Sequence, residues 1–130
     1  MAIKINSSTV INDSKIFLPN NSAEVSSTVS ISAGLLTIDL NAATVFNVSL
    51  DANITTLTLQ NVQSSGRSSS FVLVFTADGT TRSVTWPASF IWPNGTAPTI
   101  TSTSGKKDVF VFFTTDGGTT WQAFISGQNI

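Results

Sequence analysis

Nowhere in this 130-residue chain do apolar residues recur with the period of a helix. They alternate instead in short runs rich in Val, Ile, Thr and Phe, broken by clusters of Gly, Asn, Asp and Ser. Alternation with period two puts successive side chains on opposite faces of an extended segment, so the pattern dictates strands and excludes a helical fold. Leu36, Ile38 and Leu40 alternate with Thr37, Asp39 and Asn41, while Phe46, Val48 and Leu50 alternate with Val45, Asn47 and Ser49. Leu57 and Leu59 alternate with Thr56 and Thr58, and a sparser run carries Val25, Val29 and Ile31. The first run, with Ile3, Ile5, Val10 and Ile11, is weak.

The pattern predicts an all-β domain, an antiparallel β-sandwich of jelly-roll type with about eight to ten short strands. One domain is expected over residues 21–130. Residues 1–20 are poor in core-formers and are expected to form an N-terminal arm that orders against a neighbour.

Two later runs differ in character. FVLVF (residues 71–75) and VFVFF (residues 109–113) are apolar on both faces. A strand of this kind in an antiparallel domain needs a second cover beyond its own core. A partner subunit contacting Phe71, Leu73, Phe75, Phe110 and Phe112 would supply it, and so would a covering loop in the centre of a sandwich. Both runs lead into Asp-Gly pairs, Asp78-Gly79 and Asp116-Gly117, which are hairpin-turn signals. Between them Pro87, Pro93 and Pro98 prevent continuous ladder pairing, and Pro93-Asn94-Gly95 reads as a tight turn.

Composition removes whole classes of function. There is no His, Cys or Tyr, which excludes Ser–His–Asp and Cys–His nucleophiles, Cys/His zinc sites and disulfides. Neither a metal nor a cofactor is expected. A net charge of −1 with six dispersed cations makes no phosphate-neutralising patch, so nucleic acid is not an expected partner. No apolar run is long enough to span a membrane as a helix, and MAIKINSSTV lacks the basic and apolar regions of a secretory signal. Synthesis in a cytoplasm is the resulting expectation. Ser, Thr, Asn and Gln together supply 52 residues, whereas charged residues make up 10%, so the surface is hydroxyl and amide rather than ionic.

The sharpest local motif runs from Thr114 to Trp121, TTDGGTTW. It fits the Asp-box pattern, a β-hairpin turn of sialidases and many unrelated β proteins. Asp116 is expected to accept backbone N–H bonds within its own turn, Gly118 to take a positive φ, and Trp121 to bury its ring beneath the turn. One such box argues for a rigid turn rather than for catalysis. Glycoside hydrolysis needs two acids flanking a bond, and no such pair stands out. Asp78 and Asp116 belong to turns, Asp39 lies on a polar strand face, and Asp13, Glu24, Asp51 and Asp108 read as solvated charge near strand ends. Trp86 and Trp92, each directly before Pro, would suit stacking on a sugar, although packing beside an irregular crossing is the weightier reading.

Four segments, VTWPAS (residues 84–89), WPNGTAPTIT (92–101), KKDVFVFF (106–113) and DGGTTW (116–121), together resemble a block recurring in tail-fibre and other virion-appendage proteins of tailed bacteriophages. IKINSSTVINDS (residues 3–14) is similar to the opening of such proteins. The resemblance implies a compact β module of a virion surface, commonly trimeric and made in the host cytoplasm. Its size is closer to a capsid decoration, or cement, protein that clamps the major capsid protein lattice. A short tail fibre or knob, which contacts tail components and a host surface glycan, is the other member of the same class. A carbohydrate-binding module using Trp86 or Trp92 is a reading from a different class.

Overall fold

The computed structural model describes residues 3–5, 8–11 and 24–130. Among them are ten strands and no α-helix: β1 (Ile3–Ile5), β2 (Ser8–Ile11), β3 (Ser26–Thr28), β4 (Leu35–Asp39), β5 (Val45–Leu50), β6 (Thr56–Gln60), β7 (Ser69–Ala77), β8 (Phe90–Ile91), β9 (Lys107–Thr114) and β10 (Trp121–Gly127). The described residues are all-β, as the alternation dictates. Most of the expected N-terminal arm lies outside the described residues; within it, β1 and β2 pair antiparallel with each other.

The pairing is mixed, which corrects the antiparallel expectation. A six-stranded sheet has the order β3-β5-β7-β9-β10-β8, and β4 pairs with β6 in a separate two-stranded sheet. The pairs β3–β5, β5–β7 and β4–β6 are parallel. From β3 to β7 the chain therefore alternates between the two sheets and returns in the same direction on each, winding as a coil. Parallel neighbours need a long crossover, usually a helix. Here a strand of the opposite sheet provides it, which a sequence without helical periodicity can supply. Like residues stack in the small sheet: Leu36 beside Leu57, Thr37 beside Thr58 and Ile38 beside Leu59.

Beyond β7 the ladder turns antiparallel through β9 and β10. Only the second Asp-Gly pair joins adjacent strands. After Asp78-Gly79 the chain leaves the sheet instead of forming the expected hairpin, and β7 pairs with β9 across the long connection that holds the prolines. In that connection the only regular elements are β8 and the turn at Pro93–Gly95, where Gly95 N donates to Trp92 O (2.9 Å) and Asn94 has φ 55°.

One core joins the six-stranded sheet to the β4–β6 sheet. The inner face of the large sheet contributes Phe46, Phe71, Phe75, Phe110 and Phe112, and β4 and β6 add Leu36, Ile38 and Leu57. This placement corrects the subunit-contact reading. Phe71, Leu73, Phe75, Phe110 and Phe112 are all buried within the single chain. The largest side chains of each doubly apolar strand fill the interior, where burial removes most apolar area from water. Val72, Val74, Val109, Val111 and Phe113 form the other face.

Candidate functional site

The turn between β9 and β10 is built as the Asp-box pattern requires. Asp116 Oδ2 accepts from Thr120 Oγ1 (2.6 Å), and its two carboxylate oxygens lie 3.0 and 3.2 Å from Thr120 N. Thr114 Oγ1 donates to Asp116 Oδ1 (2.8 Å) and lies 3.2 Å from the donor Gly118 N. These bonds, led by the Thr120 hydroxyl, stabilise the charged carboxylate and hold its pKa down to about 2. Gly118 has φ 85°, and a Cβ there would stand 3.1 Å from Val62 Cγ1 and 3.3 Å from Trp121 Nε1. Trp121 is buried below, edge-on to Phe71 at 5.4 Å. Every donor to this carboxylate lies within its own turn, so the geometry is that of a clasp.

The other predicted turn works differently. Asp78 accepts from Thr80 N (2.9 Å) and from Arg82 (2.5 Å), and the Arg82 contact is the main cause of its lowered pKa. Gly79, with φ 96°, lets the chain leave the sheet beside Ser104.

Trp92 does not form a sugar platform. Trp92 is only 6% exposed, and its ring packs edge-on to Trp86 (5.0 Å), Phe110 and Phe112 (both 5.7 Å). Trp86 is half-buried against Phe75 and Phe110. A ring as deeply buried as that of Trp92 offers no face for stacking on a ligand, which corrects its glycan-contact reading. The two Trp-Pro segments instead cover the core over the inner face of β9.

Two features escape the sequence reading. Asp108 is 1% exposed, not solvated: its carboxylate accepts from Thr101 N (2.7 Å), Thr101 Oγ1 (2.6 Å) and Asn129 N (3.0 Å). Parity was the available signal, since Asp108 shares the inward face with Phe110, Phe112 and Thr114. The second feature is the outer face of the large sheet. Val45, Val72, Val111 and Phe124 lie side by side across β5, β7, β9 and β10, with Val74 beside Val109 in the next row. Phe113 (37% exposed) and Phe124 (45% exposed) have nearly parallel rings with centroids 6.0 Å apart. The exposed aromatics are thus Phe113 and Phe124, not the tryptophans.

Among the described residues no group of three or more His, Cys, Asp or Glu is placed to hold a metal ion, and no helix is long and apolar enough to cross a membrane. No family model, curated protein or solved structure matches this chain.

Proposed function

We propose that this chain is a non-enzymatic structural protein of a tailed-bacteriophage virion, a trimeric capsid decoration protein that sits on the virion surface and clamps the major capsid protein lattice. One observation carries the reading: the separate segments on which the resemblance rests fold into a single packing unit. Trp86 of VTWPAS and Trp92 of WPNGTAPTIT both pack on Phe110 of KKDVFVFF. That strand turns through DGGTTW, and Trp121 at its end pairs with Phe90 of the short β8 between the two Trp-Pro segments. Residues that are alike because they form one structural module are expected to meet in this way. We also read the two sheets as layers of an open sandwich, since their inward residues share one core.

The carboxylates support a structural role. Asp39, Asp78, Asp108 and Asp116 each hold backbone N–H groups of nearby turns or of the chain end. A chain with only 10% charged residues has few ions to desolvate when it packs on a lattice. Cryo-electron microscopy of the particle tests the assignment. Density for this chain on the capsid, three copies around an axis, is the expected result. Density confined to the tail would transfer it to the short tail-fibre reading, and absence from the particle would end both.

A further inference from the structure

We infer that the outer face of the six-stranded sheet is the surface through which copies of this chain associate. The inference deepens the structural-protein reading and rests on it for the premise that copies assemble. What it adds is the face and the occupant, a second copy.

The face has the anatomy of an interface. Its centre, Val72, Val74, Val109, Val111 and Phe124, is continuous across three adjacent strands. Around it lie Asn47, Ser70, Thr76 and Gln122, all neutral. An apolar centre inside a polar rim, without charge in the middle, is what association surfaces show. Apolar patches beyond a few hundred Å² are uncommon on monomers and mark contact sites.

Extent agrees. Strands about 4.8 Å apart and about 3.3 Å per residue give the five wider strands a flat projection of roughly 24 by 23 Å, about 550 Å². With the polar rim included, that area matches the smaller class of interfaces, below about 1,200 Å² in total over both partners.

Three properties select a second copy as the occupant. A face without central charge is complementary to itself, whereas a charged patch repels its own copy. The rim carries opposite charges at opposed ends. Glu24 accepts from Thr44 Oγ1 (3.2 Å) at one end, beside a shallow depression bounded by Ser70, Val72 and Val111. Lys107, paired with Thr76, marks the other end. Opposite charges at opposed ends let the Glu24 end of one copy meet the Lys107 end of the next, in a dimer or in a closed ring of three. Finally, the Phe113–Phe124 pair offers a flat hydrophobic anchor of the kind that dominates contact energies.

Light scattering on the purified chain, with two variants, tests the inference. The wild type is expected at two or three times its 13.7 kDa mass at 100 µM or above, and Phe124→Asp at one, with a cooperative melt retained. Phe124 is exposed, so the variant leaves the core intact. Because the chain has no Cys, Val111→Cys reports on the face directly. Relative to a Thr58→Cys control on β6, its thiol should lose at least tenfold in labelling rate between the dilute monomer and the oligomer, and this readout decides the matter if Phe124→Asp fails to fold. A monomeric wild type overturns the inference, as does an oligomer in which position 111 loses no more labelling rate than the control. Saturable glycan binding by a monomer, lost in Phe124→Asp, would overturn it in favour of a sugar platform. Location on the particle bears on the virion reading alone, so the two fail separately.

Discussion

At the residue scale, two aspartates do opposite jobs with the same chemistry. Asp116 sits at the surface and closes one hairpin through Thr114 and Thr120. Its folded-state pKa, about 2, lies below the ordinary carboxylate value of about 3.9. A depressed folded pKa contributes stability that is fully present above the unfolded value and is lost as pH falls through the folded one. Asp116→Asn should therefore melt below wild type by a constant margin from pH 5 to 8. The gap should narrow from about pH 4 toward pH 2. A gap unchanged across that range would show that the charge contributes nothing. Asp108, in contrast, is buried and ties Thr101 and Asn129 to the start of β9. Replacing it with Ala orphans these donors at a cost of about 2–4 kcal/mol. Native-state hydrogen exchange should show the Thr101 and Asn129 amides losing protection ahead of the β7–β9 ladder, and uniform loss would contradict the local tether.

At the element scale, β7 and β9 carry the molecule, and their two faces are separable. Phe112 stacks on Phe71 at 4.8 Å and meets Phe90 at 4.6 Å on the inner side. Phe112→Ala should lower stability by about 3–5 kcal/mol through lost burial and the cavity left. Val111→Ser, one residue along on the outer face, should cost the folded chain much less; equal losses in denaturant melts would mean that the outer face is core too. The sequence told which segments are strands because period-two alternation is local, and it told the turn at Asp116 because the clasp lies within eight residues. It did not tell which face of a doubly apolar strand is interior, since both faces carry hydrophobic residues and only relative size separates them. Nor did it give the parallel coil from β3 to β7. Strand direction depends on which segments pair across a distance, and Asp-Gly pairs suggested local hairpins. The trace of the coil was nonetheless present: LTI at residues 36–38 recurs as LTL at 57–59, and these stack in register. Asp108 was misread because a charge after Lys106-Lys107 resembles a solvated end, although its parity with Phe110 pointed inward.

At the scale of the whole molecule, the scarcity of charge determines how it meets other surfaces. With a net charge of −1 and 10% charged residues, the chain has no long-range field to steer or hold a partner. Its associations have to come from apolar burial and neutral hydrogen bonds, both nearly insensitive to screening. The Glu24 and Lys107 ends add exposed pairs that contribute at most about 1 kcal/mol each. Salt therefore separates this mechanism from an ionic one. Sedimentation equilibrium of the assembled chain between 50 mM and 500 mM sodium chloride should show less than about a tenfold change in dissociation constant, because exposed pairs alone are screened over that range. Sodium sulfate, excluded from the protein surface, should tighten association by favouring burial of the valine face. A dissociation constant rising by several powers of ten in chloride would mean that charges at the rim, and not the face they surround, hold the copies together.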